Sequence, residues 1–393
     1  MANCTMGRGG ILMELEAINK RLEGCGLRVL AIDESGNPPV ESSTIPFGWQ
    51  DLHHPGLARL AETYRLEEVI EPARDEFEQF RLLRHWCYRI IARGTPEWVP
   101  HEPELLAGVV SEGRPFYCTY YAQLLMYAAT SLGWPARHLG IDCDHAEGEP
   151  SSHHGVTELF CFTLDKWLVL DAMFDVHYER EGVPLSALEI RDTYRKHGPQ
   201  EPEICVGPEG MCVRSSGKNT PPGFDEPVCY HWFLVRSRND HFTLPVWQGN
   251  ARDILYVDDV NRGKTWYQNR TDETGQFVGS RRHTGYETGS FLPTERLADV
   301  YPTLGRTHIE ADLSLPRPPD RPVVPLRMHS ICPYWRGFEV RFDRAGPWVP
   351  VRQSVDWPVH SGENGIEARL VDAGGRRGKA CCVTLKTGAR SSK

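Results

Sequence analysis

The run from Cys118 to Leu170 limits this chain to few folds: a helix apolar along one side, an abrupt stop, then three strand-like segments. Ala122, Leu125, Met126, Ala129 and Leu132 recur at three and four residues, the spacing of one helical face, and Gly133-Trp-Pro135 ends the helix. Residues Ala136 to Ile141, Val156 to Thr163 and Trp167 to Leu170 read as strands, with a hairpin turn around Thr163 to Asp165. An apolar helix face must be covered, and the nearest cover is the sheet that follows it. The expected class is therefore α+β. A second amphipathic helix is expected over Asp75 to Ala92, where Phe77, Phe80, Leu83, Trp86 and Ile90 share one face before Gly94-Thr-Pro96.

Ahead of that helix, residues 11–23 suggest a helix, Leu27 to Ile32 a strand and Pro55 to Val69 another helix. Residues 1–74 are expected to form an extension packed on a central domain spanning 75–305. Within that domain, 195–305 reads as a loop-rich insertion with edge strands such as Trp232 to Arg236 and Ile254 to Val257. The proline-rich junction Pro316-Arg-Pro-Pro-Asp-Arg-Pro322 introduces alternating strands over Gly337 to Asp343 and Gly365 to Val371. Residues 306–393 are accordingly expected to form a small all-β sandwich.

A net charge of -9 speaks against nucleic acid, whose phosphates need a basic surface. No apolar run reaches the length of a membrane helix, and the first residues do not read as a secretory signal, so a cytoplasmic location is expected unless the N-terminus is processed. The twelve cysteines lack the paired spacing of a zinc site, and most are expected to be reduced core thiols. Asp142-Cys-Asp-His145 and the nearby histidines read as solvated polar residues. No metal and no cofactor is expected.

The chemistry-bearing residues are Cys118 at the helix start, His154 on the second strand and Asp171 after the third. A free thiol titrates near about 8.5, and a helix N-terminus and a neighbouring imidazolium both favour the thiolate. Side chains alternate along strands, so His154 shares a face with Val156 and Glu158, and Asp171 with Trp167 and Val169. Across a hairpin with an even loop, residues whose numbers sum to an odd value share a face. That parity joins His154, rather than His153, to Asp171. Asp171 would then orient the imidazole.

This ordered trio resembles the transglutaminase-like superfamily, with its papain-like Cys-His-Asp core. The matching pieces are Cys118 with Tyr121-Ala122, His154 with Glu158, Trp167 with Asp171, and Gly133-Trp-Pro-Ala-Arg137, which resembles a segment following the catalytic helix in bacterial members. Gly155 and Val156 stand where the family carries a small-aromatic pair. The resemblance covers roughly residues 75–175, and Pro316 onward loosely resembles an appended immunoglobulin-like domain. It implies a cysteine nucleophile in a hydrolase or acyltransferase: Cys118 forms a thioester, His154 acts as base and Asp171 holds it.

Tyr117, Tyr120, Tyr121, Trp134, His153, Glu158, Trp167, Arg238 and His241 are the candidates to line a substrate groove for a peptide, protein or glycan. Two other readings stand beside the leading one. A carbohydrate-active lyase or hydrolase could reuse the cleft with histidine and tyrosine as acid and base, or the fold could serve binding alone. Oligomeric state is left open by the sequence.

Overall fold

The computed structural model describes residues 15–98, 100, 102–142, 153–198, 201–214, 230–244, 252–262, 265–271, 277–284, 291–314 and 321–389. The architecture is mixed α+β with several largely antiparallel sheets. Two compact units divide it: residues 43–302, and residues 1–42 together with 303–393.

The 43–302 unit is built on a six-stranded sheet. Its order is Phe291–Thr294, Asp253–Tyr256, Trp232–Arg236, Ala136–Asp142, His153–Cys161 and Lys166–Leu170. Every pairing is antiparallel except that of Asp253–Tyr256 with Phe291–Thr294. Trp232–Arg236 is thus an interior strand, bonded on both sides, and not the edge strand expected from its loop-rich surroundings. Trp232, Phe233, Leu234 and Val235 are all buried, as a strand covered on both faces of its sheet requires.

The helix Cys118–Ser131 lies against this sheet, with Leu124, Leu125 and Ala128 in one core with Leu159, Leu168 and Leu170. The helix Glu76–Ile90 adds Phe80, Leu83 and Cys87 to that core, and Asp75 caps it by accepting from the Glu78 amide. Because helices cover the Cys118 helix as well, every residue from Tyr120 to Thr130 is buried, well beyond the single apolar face legible in the sequence. A smaller antiparallel sheet, in the order Met211–Arg214, Glu203–Val206, Val176–Arg180 and Val183–Pro184, continues the chain beyond Asp171.

The other unit contains a five-stranded and a three-stranded antiparallel sheet. Residues 1–74 do not form one extension of the central domain. Leu27–Asp33 instead pairs with Cys381–Ala389 at the edge of the five-stranded sheet, and Asn19 grips Val29 through both its amide and its carbonyl. The alternating pattern of Leu27 to Ile32 announces a strand, but pairing across the whole length of the chain has no local signature.

Candidate active site

Cys118 is the first residue of its helix, preceded by Tyr117 in an extended conformation and without a side-chain cap. Its sulfur therefore sits at the positive end of a helix dipole whose first amides lack intrahelical acceptors. The adjacent strand carries His154, and the hairpin His153–Cys161 to Lys166–Leu170 is in a register that opposes Glu158 to Val169. One residue beyond the last strand pair, Thr157 with Leu170, Asp171 lies on the same face as His154, and Asp171 Oδ2 stands 2.7 Å from His154 Nε2.

Asp171 is itself fixed. Its other oxygen accepts from the Met173 and Phe174 amides at 2.9 and 3.2 Å, and its backbone closes a narrow turn with Val176. The Phe174 ring covers the imidazole, 5.3 Å between centroids. With Nε2 committed to the carboxylate, the ring's remaining nitrogen serves Cys118, to which His154 is hydrogen-bonded.

Burial works against both charged forms here, and specific partners overcome it. It would lower His154, but the charge and hydrogen bond of Asp171, then those of Cys118, raise it from 6.5 to about 10. Burial likewise raises Cys118, yet the hydrogen bond and charge of His154, with a hydrogen bond from the Gly155 amide, carry it below its ordinary value. Both shifts favour the thiolate–imidazolium form of the pair, with a buried carboxylate behind the ring.

Gly155 has a steric role in this arrangement. A Cβ there would lie 3.2 and 3.3 Å from Thr119 Cα and N and 3.1 Å from His138 Nε2. A side chain there would be crowded against the helix start, so glycine favours the close approach that brings its amide to the sulfur.

Most of the residues expected to line a groove are instead in the core. Tyr120 and Tyr121 are 1% and 2% exposed, and the Tyr121 hydroxyl donates to Ile91 O at 2.7 Å. Trp134 is buried against Phe80 and donates to Glu76. Glu158 is enclosed with Arg137 Nε at 2.9 Å, the Ala187 amide at 2.9 Å and the Tyr301 hydroxyl at 3.0 Å. Trp167 packs beneath the Arg137 guanidinium, 4.0 Å from its ring centroid. Arg238 turns to Asp240 and the Leu244 carbonyl, and His241 meets the Tyr127 hydroxyl at 2.7 Å. In each case the side chain has little surface left for a ligand: helices enclose Tyr120, Tyr121 and Trp134, while Glu158 and Trp167 are enclosed with Arg137 in the sheet. Tyr117 is only half-buried, its hydroxyl 3.4 Å from that of Tyr120. His153 opposes Asp142 in the sheet, and its side chain lies outside the described residues, as does the rest of Asp142-Cys-Asp-His145.

The structure adds an arginine that pattern reading passed over. Arg84 is fully buried, with Nε 2.8 Å from Asp175 Oδ1, Nη1 2.7 Å from His177 Nδ1 and Nη2 2.7 Å from the Gly207 carbonyl. Asp175 also holds His85 at 2.6 Å. Arg84 falls four residues after Phe80 on the apolar face, and a charge placed there was the available sign of an internal partner.

No protein-family model matches the chain, and no curated protein is found that resembles it closely enough to count as a relative.

Proposed function

We propose that this protein is a transglutaminase-like cysteine enzyme that cleaves or transfers the acyl group of a carboxamide or peptide. The observation that carries the reading is the hydrogen-bonded row Cys118–His154–Asp171 with its sulfur at a helix N-terminus. The Cys118 thiolate attacks the carbonyl carbon, and the carbonyl electrons move to oxygen beside the amides of the helix start. The imidazolium of His154 gives its proton to the departing amine as the C–N bond breaks, leaving a thioester on Cys118. His154, now neutral, draws a proton from water or from an acceptor amine, which attacks the thioester and frees the sulfur. Asp171 holds the ring in the one tautomer and orientation that serve both steps.

A papain-like core for residues 43–302 and an immunoglobulin-like domain for the two-sheet unit belong to the same proposal. A glycan-cleaving reading has less to rest on, since Tyr120 and Tyr121 are buried and cannot act as acid or base on a polysaccharide. Among the described residues no helix is long and apolar enough to cross a membrane. The test is alkylation by iodoacetamide across pH, followed by peptide analysis. Cys118 should react at pH 6 far faster than the other free thiols. A Cys118 that reacts no faster than they do would remove the activated thiolate and with it the reading.

A further inference from the structure

Behind the aspartate turn lies a second sulfur centre. Cys205 and Cys212 form a disulfide directly across the two strands of a hairpin, and Cys205 in turn opposes His177 on the next strand. The reading of most cysteines as reduced does not extend to this pair; the other described cysteines are free. His177, Glu179 and Cys205 bring their donor atoms within 4.8 Å of one another, a spacing that would suit a metal. Arg84 argues otherwise. An arginine can only donate, so His177 Nδ1 must accept from it, the ring proton sits on Nε2 facing Glu179 at 2.8 Å, and that nitrogen has no free lone pair.

We propose that Cys205–Cys212 is a thiol–disulfide exchange site for a dithiol reductant, and that its state sets the rigidity of the Asp171–Val176 turn. Cys212 is exposed whereas Cys205 is fully buried, so attack is directed to the Cys212 sulfur. A thiolate of the reductant bonds to Cys212 and the Cys205–Cys212 bond breaks, releasing Cys205 as a thiolate that takes a proton from water. The second thiolate of the reductant then attacks its partner's sulfur in the mixed disulfide, Cys212 leaves and is protonated, and two electrons have passed from the dithiol to the protein.

The outer strand of the hairpin that this bond ties lies at the edge of its sheet. Met211–Arg214 is a four-residue strand at a sheet edge, with Met211 72% exposed. Its tip is fastened to the turn that orients His154. The Gly207 amide donates to the Asp175 carbonyl at 3.0 Å, the Gly207 carbonyl accepts from Arg84, and Arg84 holds the Asp175 carboxylate. Asp175 has a φ of +55°, a left-handed conformation rare outside glycine, which those contacts keep in place. One residue before it, the Phe174 amide binds Asp171. Reduction frees the hairpin, loosens the grip on Asp175 and lets the Asp171 turn open more often.

Any consequence for catalysis rests on the function proposed above; the exchange site and the response of the turn do not. The experiment is hydrogen exchange on the full chain, oxidised and after dithiothreitol, with disulfide mapping and Cys118 alkylation measured on the same samples. The oxidised chain should yield a Cys205–Cys212 linked peptide. Reduction should speed exchange over residues 171–176 by about tenfold while residues 136–142 stay unchanged. The double variant Cys205→Ser with Cys212→Ser should behave as the reduced chain, and Cys212→Ser alone, which alters only the exposed sulfur, substitutes if the pair fails to fold. Absence of the linked peptide, or equal exchange at 171–176 in both states, overturns the inference. A chain whose turn responds but whose Cys118 alkylates no faster than other thiols keeps this inference and loses the proposed function.

Discussion

Gly155 and His154 are consecutive, and each makes a different demand on the same sulfur. His154 charges it, while Gly155 donates an amide and leaves room for the helix start. Gly155→Ala should therefore slow Cys118 alkylation and cost about 1–3 kcal/mol in a denaturant titration, because the clash is with the backbone of Thr119. The pH behaviour has a definite sign. His154 is raised, so its share of stability is complete below about 6.5 and disappears as pH climbs through about 10. Cys118 is lowered, so its share is present above its unfolded value of 9.0 and disappears as pH falls through its depressed value. The ion pair occupies the window between, and alkylation of Cys118 should stay fast across neutral pH. In Cys118→Ala, proton NMR of His154 should show a lower pKa than in the parent, since the sulfur's hydrogen bond and charge both raise it. An unchanged value would mean that sulfur and ring do not interact.

At the level of elements, the strand His153–Cys161 carries charge on both ends of its function. His154 faces the sulfur, while Glu158 is locked with Arg137 from the neighbouring strand, the two residues lying opposite in register. Removing one partner strands the other charge in the core, so Glu158→Ala should lower stability by about 3–5 kcal/mol, read as a shift in the urea midpoint. The alternation of this strand made His154, rather than His153, the partner of Asp171 on paper, and the hairpin register puts His154 and Asp171 together in the same way. Arg84 was harder to read. Its helix shows a plain apolar stripe, and nothing local says that Asp175, 91 residues later, is waiting to receive a guanidinium. The tyrosines of the Cys118 helix were misplaced for a related reason: periodicity reveals one covered face, and only the surrounding helices cover the other.

For the whole molecule, every group in the Cys118–His154–Asp171 row and its supporting turn lies within residues 43–302. A chain shortened to those residues should keep the fast alkylation of Cys118, and loss of it in a folded fragment would mean that the other unit supports the site. The apolar periodicities, the breaks at Gly133-Trp-Pro135 and at Gly94-Thr-Pro96, and the face-sharing of His154 with Asp171 follow from residue order alone, because each depends on bonds and side-chain directions within a few residues or one hairpin. The pairing of Leu27–Asp33 with Cys381–Ala389, the interior seat of Trp232–Arg236, the burial of Tyr120 and Tyr121 and the link from Cys205–Cys212 through Arg84 to Asp175 were decided only in three dimensions. They depend on which distant surfaces meet, and free energy of contact between remote segments leaves no periodic trace in the sequence.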